Sequence, residues 1–385
     1  MTTAESFPQA LLAQPAAARL AYFQTKVVAH PHLKDTHRAL WHVLHHPTEA
    51  SLVLVVGPTG VGKTTLRRRI ETQVLEEMRG ELEQDRGRIP VVGVEAVAPE
   101  SGNFNWKDYY LRVLAALDEP LLAHKVADEV GRLPRDGGRR LGMAHGANAA
   151  ALRRALEHGL HHRRVTAVLV DEAQHFTKMA SGRRLLDQMD TLKSLASLTG
   201  TLHVLLGTYE VLDLADLSAQ LSRRSVVLHF PRYRRECAAD RVAFKSVLLT
   251  FQRHLPLTEE PDLVGREEYF YEGCAGCVGV LKAWLQRALG AALADDQATL
   301  SVGHLDRQRI PTRTLLRLAR ESQAGEAALT ETVGERTELR RQLGLATEPG
   351  IAVAPPTAPA ARPSTGRVGQ RRPTRDPVGS GEHDG

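Results

Sequence analysis

The chain has 385 residues, 42% hydrophobic and 25% charged, with three cysteines and a formal charge of +5. That balance belongs to a globular protein of two or three domains and excludes a mostly disordered chain, a collagen-like repeat and a disulfide-stapled miniprotein. No apolar run approaches the ~20 residues that span a bilayer. The first residues lack a basic start followed by an apolar stretch, and three cysteines suit a reducing compartment, so a cytoplasmic protein is expected.

Taken in chain order, residues 1–47 read as short helices. Leu11, Leu12, Leu20 and Phe23 share a face, Pro31 interrupts the pattern, and Leu33, His37, Leu40, Trp41 and Leu44 recur at helical spacing. Residues 48–230 change character. Leu52-Val-Leu-Val-Val56, Val91-Val-Gly-Val94, Ala167-Val-Leu-Val170, Val204-Leu-Leu206 and Val226-Val-Leu228 are short apolar runs of the kind buried on both faces in a parallel sheet. Helical patterns separate several of them, from Thr64 through Leu66, Ile70, Val74 and Met78, and from Leu185 through Leu195. This alternation predicts an α/β domain with a five-stranded parallel sheet flanked by helices. Residues 231–345 read as a small all-helical domain, with the clearest helix around Val280, Leu281, Trp284, Leu285, Ala288 and Leu289. Residues 346–385, rich in Pro, Gly, Ser, Thr and Arg, read as a disordered tail.

Gly57-Pro58-Thr59-Gly60-Val61-Gly62-Lys63-Thr64 satisfies G-x-x-x-x-G-K-S/T directly after an apolar strand and at the opening of a helix, with Thr65 next. Such a loop turns successive backbone N–H groups toward a phosphate and adds the helix dipole. Lys63 is then placed for the β- and γ-phosphates of ATP and Thr64 for Mg2+. Downstream, the strand ending in Asp171-Glu172 supplies a carboxylate for Mg2+ (Asp171) and one to activate water (Glu172), which favours hydrolysis over transfer to a small molecule. Thr208, after Leu205-Leu-Gly207, is either a γ-phosphate sensor or the cap of the next helix. Arg223 and Arg224 precede the fifth strand; either one reaches a neighbouring subunit's nucleotide, or both sit at a helix end where the dipole favours them. Lys282, in Gly279-Val-Leu-Lys282, is a candidate γ-phosphate contact from the helical domain, or else a solvated lysine.

These motifs resemble the AAA+ P-loop ATPases: a strand into GPTGVGKTT, VLVDEAQHF, LLGTYE, LSRR before a strand, and a helical lid with GVLK. Within them the chain is similar to the TnsC/TniB/MuB group of transposition proteins. The cues are Tyr22-Phe23 and His30-Pro31 ahead of the core, Asp171-Glu-Ala-Gln-His175, and Gly102-Asn-Phe-Asn-Trp-Lys-Asp-Tyr109. The resemblance implies a homo-oligomeric ring or helical filament on duplex DNA, with ATP at subunit interfaces. It also implies a role in target selection and DNA integration, a transposase and a target-selection protein as partners, and disassembly on hydrolysis. Loops after the second strand line the inner face of such rings, which makes Lys107, with Asn103, Asn105 and Trp106, the first DNA-binding candidate. The basic loop Arg132, Arg135, Arg139 and Arg140 follows, then Arg183-Arg184, each of which is also readable as a solvated charge run.

Cys274-Ala-Gly-Cys277 has metal-ligand spacing but lacks a second pair, so it reads as a small-residue helix entry. His42, His45 and His46 share a helical face in a chain with 17 histidines and enter no mechanism here. The rival functions are a replication-type helicase loader or DNA remodeller with the same ATP chemistry, a small-molecule kinase, and an ATP-binding signalling switch.

Overall fold

The computed structural model describes residues 6–46, 50–98, 104–119, 149–177, 183–215 and 225–345. Five parallel strands, β1 (Leu52–Val56), β2 (Val91–Glu95), β3 (Ala167–Asp171), β4 (Leu202–Gly207) and β5 (Ser225–His229), form one sheet in the order β2-β3-β4-β1-β5. Every residue of β1 and β3 is buried, whereas β2 and β5, at the edges, are partly open. This matches the expectation that uninterrupted apolar runs occupy strands covered on both faces.

Successive side chains on a strand point to opposite faces, and two cores follow from that rule. Val53 and Val55 of β1, Leu169 of β3 and Val204 and Leu206 of β4 enter the first core; Leu52, Leu54 and Val56, Val168 and Val170, and Leu205 enter the second. The first core is covered by α1 (Ala16–Thr25), α2 (Pro31–His45), α3 (Lys63–Glu77) and the helical region that follows the sheet. The second is covered by α5 (Trp106–Ala116), α6 (Ala149–His162) and α7 (Arg183–Thr199). A short α4 (Arg79–Gln84) leads α3 toward β2, and α8 (Leu212–Ala215) follows β4.

Beyond β5 come α9 (Ala238–His254), α10 (Glu267–Cys274), α11 (Val278–Ala294), α12 (Val302–Gln308) and α13 (Thr312–Ala328). Their centre is Trp284 of α11, fully buried, whose indole N–H donates to the Leu305 carbonyl at 2.8 Å. Trp284 and the rings of Tyr269 and Phe270 lie within 5.4 Å of one another by centroid. The N-terminal α1 lies against α11 and joins this region. Phe23 packs on Phe251, the Tyr22 hydroxyl meets His254 Nδ1 at 2.8 Å, and Arg19 donates to the Pro256 carbonyl at 2.8 Å. Pro31, which interrupts the apolar pattern in sequence, is the first residue of α2, where its missing N–H costs nothing. His30 Nδ1 caps that helix by accepting from Leu33 N at 3.4 Å.

A separate unit begins at Glu331. Its described part is α14 (Val333–Gln342), opened by a reciprocal cap: Glu335 N donates to Thr332 Oγ1, and Thr332 N to the Glu335 carboxylate. The segment expected as a disordered tail lies outside the described residues from 346 onward. Among the described residues no helix is long and apolar enough to cross a membrane.

Candidate nucleotide site

The apolar β1 delivers the chain at Val56 into the loop 57–62, and α3 starts at Lys63. Gly62 takes φ +115°, a conformation an L side chain rarely adopts, and this lets the backbone swing into the helix. Lys63 is 7% exposed and curls back over its own loop, its Nζ donating to the carbonyls of Gly57 at 2.9 Å and Pro58 at 3.0 Å. Those two oxygens stand in for anionic ones. Burial lowers the Lys63 pKa to about 8, although the carboxylates of Glu172 and Asp171 act to raise it. A desolvated ammonium satisfied only by neutral carbonyls is a strong receptor for phosphate oxygen. Thr64 is exposed in the first turn of α3.

Two strands away, β3 ends on Asp171, which is 3% exposed. Its Oδ1 accepts from Glu172 N at 3.0 Å, and its Oδ2 lies 3.5 Å from Arg67 Nε. Arg67 lies one turn after Lys63 on α3 and also pairs with Glu71. Glu172 takes φ +53°, a left-handed conformation uncommon for a side-chain-bearing residue, in the tight turn off the strand. Its carboxylate accepts from Gln174 Nε2 at 2.5 Å. Thr208 follows β4; its backbone N–H donates to Gln174 Oε1 at 3.2 Å. It does not cap the 3-10 turn at 209–211 through its side chain, and its Oγ1 is buried with no hydrogen-bond partner among the described residues. That orphaned hydroxyl, the carboxylate pair and the buried ammonium form a donor set that fits a nucleotide phosphate with a divalent cation.

Lys282 is the fifth residue of α11, where its Nζ donates to the Gln24 carbonyl at 2.8 Å and burial lowers its pKa. It lines two adjoining cavities with Val27 and Thr65. The inner one, about 50 Å³, is walled by Val28, Leu33, Val61, Phe251 and Val278; the outer, about 760 Å³, is edged by Arg68 and Arg69. The slot beside the phosphate loop is apolar, and at about 50 Å³ it holds only a water or two. α11 also clasps the loop directly, Gly279 N donating to the Gly60 carbonyl at 2.7 Å. His30 edges the slot, bonded to the Tyr233 hydroxyl at 3.1 Å, and burial lowers its pKa to about 4.

The structure therefore brings Lys63, Asp171, Glu172 and Thr208 together where β1, β3 and β4 end. The sequence reading missed Arg67, Gln174 and the wall of the slot. Helical spacing from Lys63 points to Arg67; no local signal marks residues 27–33 as neighbours of residue 278. Arg223 and Arg224, and Arg132, Arg135, Arg139 and Arg140, lie outside the described residues, as does Asn103; of Arg183 and Arg184 only the backbone course in α7 is described.

Among the DNA candidates, Trp106 and its neighbours Asn105 and Lys107 are described. Trp106 is packed against Phe104, Tyr109, Tyr110 and Phe176, with centroids 5.2–5.8 Å away, so its ring serves the second core. Asn105 caps α5, its Oδ1 accepting from Asp108 N at 3.1 Å, and Lys107 lies in the same first turn. Cys274 and Cys277 are buried free thiols. His42 stacks on His46 while His45 meets Glu77, and no described group of three side chains is set to hold a metal.

Residues 45–215 match the family model described as an AAA domain. No curated protein matches the chain. Among solved structures, Cdc6p from Pyrobaculum aerophilum is similar with a TM-score of 0.50 at 15% identity, covering 85% of this chain and 85% of that one. The ADP form of the ORC2 protein from Aeropyrum pernix gives 0.48 at 14%, over 75% of this chain and 71% of that one. Drosophila ORC bound to DNA gives 0.44 at 13%, over 86% and 84%. Over residues 45–215 the chain is similar to the AAA domain, and it has the AAA+ P-loop fold with its five-stranded parallel sheet flanked by helices.

Proposed function

We propose that the chain is an ATP-hydrolysing regulator of transposition that assembles as a ring or filament on duplex DNA, helps select the target and recruits a transposase. The observation that carries the ATPase part is the convergence of the buried Lys63 ammonium, after β1, with Asp171 and Glu172 at the end of β3, two strands away in the same sheet. On this reading Lys63 exchanges the carbonyls of Gly57 and Pro58 for β- and γ-phosphate oxygens, and the backbone of Thr59 to Thr65 wraps the phosphates. A Mg2+ ion, held by Thr64 and Asp171, would supply Lewis-acid polarisation of the phosphoryl group. Glu172 takes the proton of the attacking water, and the Thr208 hydroxyl donates to the γ-phosphate or to that water. Arg223 or Arg224 reaches the nucleotide of the next subunit. Lys282 leaves the Gln24 carbonyl for a phosphate when the slot fills.

The transposition part is supported by the sequence cues around Tyr22, His30, Asp171 and Trp106. The test is electron microscopy with duplex DNA and a non-hydrolysable ATP analogue, paired with a strand-transfer assay. Filaments or rings that stimulate a transposase support the reading; isolated monomers indifferent to DNA overturn it. The second reading is a replication-type loader or remodeller. The fold shared with Cdc6p fits it equally, and preference for single strands without transposase stimulation would select it.

A further inference from the structure

We infer that Gln174 is a positioning residue for hydrolysis, tying the Glu172 carboxylate to the end of β4. The inference rests on the reading of Glu172 as the group that activates water. Gln174 is 7% exposed, and both ends of its amide are engaged, Nε2 on Glu172 Oε2 at 2.5 Å and Oε1 on the Thr208 backbone N–H at 3.2 Å. The two partners fix which way the amide points. A backbone N–H only donates and a carboxylate only accepts, so the oxygen must face Thr208 and the nitrogen Glu172.

The surroundings are shaped around this side chain. A Cβ at Gly207 would lie 2.8 Å from Gln174 Oε1, 3.1 Å from its backbone N and 2.4 Å from Val211, so a residue without one is required at the end of β4. Glu172, meanwhile, sits in a left-handed turn with no side-chain cap, and a carboxylate on such a turn has several rotamers open to it. The bond from Gln174 removes that freedom and sets the carboxylate beside Thr208. The residue that activates water and the residue after β4 are thereby held as one unit, and motion of β4 against β3 is passed to Glu172. Reaction geometry is sensitive to displacements of about 1 Å, which can cost on the order of a hundredfold in rate.

The test measures kcat and KM for ATP, together with ATP affinity and melting temperature, on the full chain carrying Gln174→Ala, Gln174→Met or Gln174→Glu. Glu172→Gln runs alongside. Gln174→Met keeps the length of the side chain and guards against a simple packing defect. The expected result is a ten- to hundredfold fall in kcat for Gln174→Ala and Gln174→Met, with ATP affinity within about threefold of the parent. Gln174→Glu, which sets a like charge against Glu172, falls further. Turnover within about twofold of the parent in Gln174→Met overturns the inference, and so does a fall in ATP affinity parallel to the fall in kcat. If Glu172→Gln itself turns over ATP normally, the failure belongs to the reading of Glu172, whatever the Gln174 variants do.

Discussion

The phosphate loop and the apolar slot beside it are two halves of one candidate site, built in opposite ways. The loop is contiguous: eight residues from Gly57 to Thr64 carry both the backbone curl and the cation, and their spacing alone announces them. The slot is assembled from Val28 and Leu33 near the N-terminus, Phe251 on α9 and Val278 on α11, more than two hundred residues apart. A contiguous motif needs only local geometry. A slot of this kind exists only once α1, α2 and the helical region have packed over one face of the sheet. The two halves meet at the hydrogen bond from Gly279 N to the Gly60 carbonyl.

Variants separate the halves. Lys63→Ala has the largest expected effect, a loss of ATP affinity on the order of a hundredfold or more, or about 3 kcal/mol, read by calorimetric titration. The same change removes a desolvated charge, so the nucleotide-free protein should melt no lower than the parent. Near-parental affinity would detach the loop from the phosphate.

Acid is the next lever, and it acts on buried imidazoles. Burial lowers His30, at the slot, and His203, on β4, to about 4. Between the ordinary pKa near 6.5 and 4, the unfolded chain binds protons that the folded chain refuses, so stability falls as pH falls through that window. The loss by pH 4 is on the order of 3 kcal/mol per histidine. Urea melts at pH 7 and pH 4.5 check it, and a flat profile would contradict the burial of both rings.

Smaller effects probe the mouth of the slot. Lys282→Ala should weaken ATP about tenfold, the equivalent of about 1.4 kcal/mol, with little change in melting temperature. No change in affinity would leave Lys282 as a tether of Gln24 only. Tyr233→Phe removes the hydroxyl that meets His30 and should cost about 1 kcal/mol of stability in a denaturant melt, with ATP binding nearly intact.

How far this was legible in the sequence depended on how local each signal is. All five strands lie where the apolar runs placed them, most plainly β1 and β3, whose burial on both faces demands a continuous apolar run. The helices α5 and α6 were not anticipated. The first begins with a cluster of aromatic residues rather than a simple stripe, and the second follows a glycine- and arginine-rich stretch. Trp106 is named with Lys107 as a DNA candidate only because the resemblance places the loop after the second strand on the inner face of a ring. Its setting in the fold is decided by Phe176, seventy positions downstream and just past the Asp171-Glu172 pair. Gln174 was legible only as a letter in a motif; its meaning comes from Thr208, brought close by β3–β4 pairing.

The most direct measurement is single-turnover hydrolysis of ATP by the Glu172→Gln protein beside its affinity for ATP. Affinity within about threefold of the parent, with the hydrolysis step slowed a hundredfold or more, is the expected outcome. Hydrolysis at the parental rate would contradict the placement of water activation at the end of β3.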